Sequence, residues 1–253
     1  MTSSLRLPFY YLWIAPHALQ VIILVLLVWR GFYKKFPVFT AYTAASFCKF
    51  ITLFIVSKSL LAHTTYFQCY SFGVGIITAL RFGVICEIFA HVFANYAAVR
   101  SAQRPLFRWT AVAFLTVAFS FAIYTHRFDT DPTWFALHVL ERSANIVECG
   151  LILALFLFSA YLGLLWSRLA FGIALGFGVL CSLELALAAV RSQIGLSAHV
   201  TLDLFDMATY HCCVLIWLFY LIIPERKPLH IPDNIPDNDL ESWNNELETL
   251  LTR

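Results

Sequence analysis

The chain has 253 residues, of which 60% are hydrophobic and 13% charged, and its mean hydropathy is +0.76. So few polar residues cannot cover a soluble globule, and the apolar residues cluster into segments near the ~20 residues that cross a bilayer. The composition excludes a soluble globular protein and predicts an all-α polytopic membrane protein whose main partner is the lipid bilayer. No nucleic-acid partner is expected, and the net charge of +2 says little by itself.

Seven apolar segments predict a bundle of seven transmembrane helices. They define a transmembrane domain over 1–223, and residues 224–253 form a tail. The predicted spans are 9–29, 38–57, 71–94, 107–124, 134–160, 168–190 and 203–223.

The basic residues set the expected orientation. In a seven-span chain nine of them fall on one side and four on the other, and the richer side is cytoplasmic by the positive-inside rule. This places the N-terminus outside and the tail in the cytoplasm, and we expect a bacterial inner membrane. The richer side holds Arg30, Lys34, Lys35, Arg100, Arg104, Arg108, Arg168, Arg226 and Lys227, and the other holds Arg6, Lys58, Arg127 and Arg191.

The first two spans carry an aromatic cluster and a buried lysine. Residues 7–13 (Leu-Pro-Phe-Tyr-Tyr-Leu-Trp) are interpreted as an anchor at the outer interface, and Pro16 predicts a kink or the true helix start. In the second span Lys49 lies ~18 Å beyond Pro37 at ~1.5 Å per residue, near mid-membrane. It is either a ligand anchor or the structural partner of a buried acid.

The third span places Arg81 near its middle and then Glu87 and His91 one turn apart. Such a pair can donate two metal ligands, but no further ligands follow at a readable spacing. We therefore predict a simple Glu–His hydrogen bond near the inner interface, with no metal site and no cofactor.

A polar stripe runs along the fifth span. Its members recur at helical spacing, so they share one face of the helix. A lipid-facing ion costs about 2.5–3.5 kcal/mol or more at the bilayer centre, so this face must look into the bundle. The stripe consists of His138, Glu141, Arg142, Asn145 and Glu148.

The last two spans add small residues and further acids. Gly172, Gly176 and Gly178 form a small-residue face that permits close helix packing, either within one bundle or between two copies. Glu184 follows in the outer half of the sixth span. The seventh span carries Asp203, Asp206 and Tyr210 on one face, with His211 beside them.

The tail predicts a short amphipathic helix at about 239–252. Leu240, Trp243 and Leu247 recur on one face, opposite several glutamates. The acidic face is poorly suited to anionic lipid. Docking on the chain's own basic loops and binding a protein partner both remain open.

Together these residues predict a polar cavity that opens outward and closes toward the cytoplasm, suited to a small polar or cationic ligand or to protons. The cations Lys49, Arg81 and Arg142 face six acids, which would give about −3 if every acid were ionised. The alternative is that the charges pair off and only hold the bundle together. The candidate ligand-binding residues are Lys49, Arg81, Glu141, Arg142, Asn145, Glu148, Glu184, Asp206, Tyr210 and His211.

Four stretches carry a resemblance to a known group of proteins. They are Leu7-Pro-Phe-Tyr, Leu140-Glu-Arg-Ser, Phe171-Gly-Ile-Ala-Leu-Gly-Phe-Gly and Leu215-Ile-Trp-Leu-x-Tyr. In this pattern the chain resembles short seven-span bacterial integral membrane proteins, over nearly its whole length. The resemblance implies the seven-span fold and brings no activity, cofactor or catalytic residue.

The leading functional hypothesis is a sensor-like or accessory seven-helix protein that signals through its tail. A small proton-coupled transporter and a structural subunit of a larger membrane complex are the alternatives. The seventh span lacks the lysine that a retinal Schiff base requires, and no nucleophile elbow, metal set or phosphate-binding loop is found. An enzyme is therefore the least supported class, and we predict no catalytic residue.

Overall fold

A computed structural model describes residues 3–58, 63–94, 132–164, 166–194, 199–223 and 248. Within these ranges the regular structure is helical, and six helices are long and apolar enough to cross a membrane. The all-α prediction is thus confirmed for the described part. The predicted fourth span and, apart from Glu248, the predicted tail helix lie outside it. The helices are α1 (Ser3–Trp29), α2 (Pro37–Lys58), α3 (His63–Val92), α4 (Pro132–Tyr161), α5 (Arg168–Ile194) and α6 (His199–Ile222).

The helix bounds lie within four residues of the predicted spans except at the starts of α1, which begins at Ser3 and not at 9, and of α3. Helix α3 begins at His63, although the span is predicted from 71. The polar residues before 71 lower the hydropathy, but a helix satisfies its own backbone bonds and continues past the apolar stretch. Pro16 neither starts nor ends α1, which runs through it from Ser3.

Glycine ends two of the helices. Gly31 follows α1 with φ of +71°, and Gly163 follows α4 with φ of +60°. These are left-handed conformations, which glycine adopts without the steric cost that a Cβ imposes. Each turn reverses the chain at the same end of the bundle.

The six described helices form a ring, in which each packs against its neighbours in chain order and α6 closes on α1. We call the end at which α2 terminates the Lys58 end, and the opposite end the Trp29 end. Helices α3 and α4 run parallel, because Val74 and Glu141 line one cavity while Arg81 pairs with Glu148 further along both. Both therefore run from the Lys58 end to the Trp29 end.

An aromatic cluster fills the middle of the ring. Phe39, Tyr42, Phe177 and Trp217 are each at most 2% exposed, and the rings of Phe177 and Trp217 lie 4.9 Å apart. We call these four residues the aromatic plug. The indole of Trp217 lies directly against Gly176 and donates a hydrogen bond to the carbonyl of Ile173 at 3.3 Å. The small-residue face thus packs within the bundle, and the plug closes the space toward the Trp29 end.

Candidate functional site

One arginine joins three helices in the middle of the bundle. Arg81 of α3 lies between Glu148 of α4, at 2.8 Å from Nε to Oε2, and Glu184 of α5, at 3.1 Å from Nη2 to Oε2. The same Nη2 donates to the Sγ of Cys181 at 3.1 Å. We call Arg81, Glu148 and Glu184 the arginine cluster. The side chains of Arg81 and Glu148 are 10% and 0% exposed, so the ions compensate one another away from solvent.

The cluster is tight but not saturated with hydrogen bonds. Glu148 Oε2 also accepts from the Cys181 thiol at 3.4 Å, whereas Glu148 Oε1 has no partner among the described residues. Two carboxylates against one guanidinium leave a formal negative charge if both are ionised. Charge compensation within the cluster therefore depends on Arg81 more than on either acid.

A cavity of ≈ 230 Å³ opens next to the arginine cluster, on its Lys58 side. Charged residues of both signs line it. At its rim Arg191 donates to Asp203 Oδ1 at 2.9 Å and lies 3.9 Å from Asp206 Oδ2. We call it the charged cavity, and its walls are Lys49, Val74, Ile77, Thr78, Arg81, Glu141, Asn145, Glu184, Leu187, Ala188, Arg191 and Asp206.

A second cavity, of ≈ 430 Å³, adjoins the first. Aromatic side chains from α1, α2, α3 and α6 dominate its walls, and Tyr42 of the aromatic plug is among them. We call it the aromatic cavity. It is lined by Trp13, His17, Tyr42, Ser46, Lys49, Phe50, Leu53, Ser57, Tyr66, Tyr70, Ile77, Arg81, Asp206, Met207 and Tyr210.

The two cavities share Lys49, Ile77, Arg81 and Asp206 as wall residues. The Lys49 ammonium lies 5.2 Å from the centroid of the Tyr70 ring, in cation–π geometry. Its aliphatic stem crosses Gly73, where a Cβ would come within 3.1 Å of Lys49 Cγ. Within the described part of the chain, no carboxylate oxygen lies within 4.0 Å of the Lys49 ammonium. The predicted structural pairing of Lys49 with a buried acid is therefore absent there.

A hydrogen-bonded chain supports one wall of the aromatic cavity. Gln20 is fully buried in α1 and donates from Nε2 to the hydroxyl of Tyr210. His17 Nδ1 lies 2.9 Å from Gln20 Oε1, and the His17 ring stacks on Phe50 at 4.0 Å. His17 and Gln20 are missing from the predicted site. Their sequence signal was a histidine and a glutamine three positions apart in an apolar span.

Most of the candidate ligand-binding residues come together. Lys49, Arg81, Glu141, Asn145, Glu184 and Asp206 line the charged cavity, and Tyr210 lines the aromatic one. Glu148 contacts Arg81 but lines neither cavity, and the His211 ring packs edge-on against Tyr11 with centroids 5.7 Å apart. The side chain of Arg142 lies outside the described part of the structure. That these residues bind a ligand stays a prediction.

The N-terminal aromatic cluster contributes to the cavity as well as to the surface. Tyr10 and Tyr11 are more than half exposed, in keeping with an interfacial anchor. Trp13, however, lines the aromatic cavity. Trp13 therefore lines a cavity in addition to the anchor role predicted for residues 7–13.

The predicted Glu–His hydrogen bond is present, but it uses the backbone of Glu87 and not its carboxylate. The Glu87 carboxylate accepts from the backbone N–H groups of Val38 and Phe39, at 2.9 Å each. His91 Nδ1 instead lies 3.0 Å from the Glu87 backbone carbonyl oxygen. The first turn of α2 has N–H groups without helical partners, and a carboxylate satisfies two of them at once.

The formal charge of the described cavity walls differs from the charge of about −3 that the sequence predicts for the cavity with every acid ionised. Among the described residues that line the charged cavity, Lys49, Arg81 and Arg191 face Glu141, Glu184 and Asp206. Arg191 turns toward the cavity, whereas Glu87 caps α2 and Glu148 lies behind Arg81. The described walls are therefore balanced in formal charge.

Comparisons with known proteins add no assignment. The chain matches no protein-family model, no curated protein and no solved structure. Its chemistry has to be argued from its own residues.

Proposed function

We propose that this protein is a seven-span integral protein of a bacterial inner membrane that binds a small polar ligand and acts as a sensor or accessory protein. The ligand occupies the charged and aromatic cavities. The observation that carries the proposal is that two adjoining cavities meet at Lys49, Arg81 and Asp206, so charges of both signs border open volume. A concave site with a few convergent polar groups on otherwise apolar walls is the usual form of a ligand pocket.

The course of the described helices supports seven spans. Helices α3 and α4 both run from the Lys58 end to the Trp29 end, so the chain between them must return across the bundle. The sequence between them, 95–131, contains the apolar segment 107–124, which we propose as the returning span. A stretch of ~20 apolar residues is enough for one crossing.

The charge distribution supports an outward-facing site. Arg30, Lys34, Lys35 and Arg168 belong to the Trp29 end, which the positive-inside rule makes cytoplasmic. The Lys58 end, where both cavities lie, is then outside. A ligand would enter from the periplasm, and its effect would reach the cytoplasm through the helices and the tail.

Thermal unfolding of the purified protein with a panel of amino acids, organic acids, amines and metal ions tests the proposal. A ligand at 100 times its Kd stabilises the folded state by about 2.7 kcal/mol, which raises the midpoint by several degrees. We expect one class of compound to do so for the wild type, and the effect to be lost in Lys49→Met if the ligand is an anion or in Asp206→Asn if it is a cation. Lys58→Met is the matched control, because Lys58 is exposed at the end of α2 and lines neither cavity.

A panel in which no compound moves the wild-type midpoint would contradict ligand binding. The charges would then be structural. If a compound binds, uptake into proteoliposomes separates the carrier alternative from the sensor, because only a carrier accumulates the compound inside.

A further inference from the structure

Lys49 lies where three cavities formed by the described residues meet. It lines the charged cavity, the aromatic cavity and a third, apolar groove of ≈ 250 Å³ between α2 and α3. Gly73 leaves room for the lysine stem to lie along α3. The half-buried ammonium is thus held where these three volumes meet.

The two other cations near this point are already engaged by acids. Arg81 contacts both Glu148 and Glu184, and Arg191 contacts Asp203 and Asp206. Among the described residues, Lys49 contacts the face of the Tyr70 ring and forms no ion pair, and Glu141 and Glu184 attract it only from beyond 4.0 Å. A ring face leaves the N–H donors of an ammonium free to bind an anion. The described site therefore has one cation without an acidic partner.

The space beside Lys49 is apolar and aromatic. Trp13, Phe50, Tyr66 and Tyr70 face the aromatic cavity, and the groove is lined by residues such as Phe72 and Ile76. Asp206, which already lies near Arg191, is the acid among the described residues that line the aromatic cavity. Such walls favour an apolar body with one anionic end over a cation.

We propose, on the basis of the function proposed above, that the ligand is a monocarboxylate carried on an apolar body. Its carboxylate pairs with the Lys49 ammonium, and its body packs against the aromatic walls. A single ammonium matches a single negative charge, whereas a phosphate dianion would need a second free cation.

Two sources supply this chemistry. A water-soluble aryl carboxylate reaches Lys49 through the cavities at the Lys58 end. A fatty acid from the bilayer presents the same carboxylate on a longer chain, and Lys49 also borders the groove in which Phe72 is 73% exposed. The test has one arm for each source.

The experiment measures equilibrium binding of radiolabelled 3-phenylpropionate and of radiolabelled palmitate to the detergent-purified full chain by scintillation proximity. We expect saturable binding of at least one of them. The Kd should rise about tenfold or more in Lys49→Met, since a charge-assisted bond contributes about 1.5–3 kcal/mol. Lys58→Met should bind as the wild type does, and the alcohols 3-phenylpropanol and hexadecanol should fail to compete.

Gly73→Ala is the second variant. Its Cβ pushes on the Lys49 stem without removing the charge, so it should also weaken carboxylate binding. Lys49→Arg, which keeps a cation, should retain more binding than Lys49→Met. Saturable palmitate binding without phenylpropionate binding identifies the bilayer as the source, and the reverse result identifies the aqueous route.

Carboxylates that do not bind, or that bind equally to wild type and Lys49→Met, overturn this inference. The proposed function survives that result if an amine, metal ion or uncharged compound raises the wild-type midpoint. If no compound of any class binds, both fail.

Discussion

Arg81 supplies the positive charge that compensates the acids at the centre of the bundle. Glu148 is 0% exposed and Glu184 is 23% exposed, and both share this one guanidinium. An unpaired buried ion costs far more than the net gain of its pair, because the desolvation cost remains when the partner is removed. The two acids are therefore tolerated at this position only while Arg81 stays.

Arg81→Met should lower the free energy of unfolding by about 3–5 kcal/mol, because it leaves two carboxylates facing each other without a cation. The measurement is an SDS titration of the purified protein in mixed micelles. Adding Glu148→Gln and Glu184→Gln to Arg81→Met should recover most of the loss, because neutral amides need no cation. If the triple variant is no more stable than the single one, the loss comes from packing and the electrostatic account is wrong.

Lys49 differs from Arg81 in its contacts. Its stem packs on Gly73 and its ammonium on Tyr70, with no ion pair among the described residues. Removing its charge breaks no ion pair among the described residues. The structural role of Arg81 thus differs from the binding role that we propose for Lys49.

Helix contacts depend on a few side chains that cross from one helix to the next. Glu87 of α3 holds the first turn of α2, and Arg30 after α1 donates to the Leu221 carbonyl of α6 at 2.6 Å. Both satisfy backbone groups that a helix end leaves unpaired. Together they connect four helices, α1 with α6 and α2 with α3, at the Trp29 end, opposite the cavities.

Gly176→Ala should destabilise the bundle by about 1–3 kcal/mol, because overpacking forces side chains and backbone to shift. The new Cβ would overlap the Trp217 indole, which fits between α5 and α6 only because Gly176 has no side chain. SDS titration measures the loss, and a shift in tryptophan emission should accompany it.

Gly150→Ala is the matched control for this substitution. Gly150 lies within α4, and a Cβ there meets no atom within 4 Å. Its stability should stay at the wild-type value or rise slightly, since alanine is the better helix former. Equal losses of stability in Gly176→Ala and Gly150→Ala would show that backbone propensity, and not contact with Trp217, causes the loss.

Within the ring of six described helices, the cavities lie toward the Lys58 end and the aromatic plug lies toward the Trp29 end. This difference between the two ends suits a site with access from one side of a membrane. A carrier would have to open the plug, whereas a sensor needs only a small shift of the helices around the ligand.

The proposed seven-span topology, with the N-terminus outside, predicts the location of fused reporters. Alkaline phosphatase, which is active only in the periplasm, should be active when fused after residue 129 and inactive after residue 104 or 226. A fluorescent protein that folds only in the cytoplasm should show the reverse pattern. The same phosphatase activity on both sides of 107–124 would mean that this segment does not cross the membrane.

The positions of the helices were largely predictable because crossing a membrane is a local property. Length and hydropathy of one segment are enough, and four of the predicted segments, 9–29, 38–57, 168–190 and 203–223, match described spans closely. The start of α3 was missed because polar residues extend a helix beyond its apolar stretch. The inward orientation of Glu141, Asn145 and Glu148 was also predictable, since a charge must avoid lipid wherever the neighbouring helices lie.

By itself, the sequence determined that the chain is helical, apolar enough for a membrane and charged on the inner face of its helices. Only the tertiary structure decided which charges meet. Glu87 caps α2, Arg191 turns toward the cavity, and Lys49 stays without an acidic partner among the described residues. Pairing depends on the rotation and depth of each helix against its neighbours, and residues such as Arg81 and Glu184, 103 positions apart, carry no local signal of their contact.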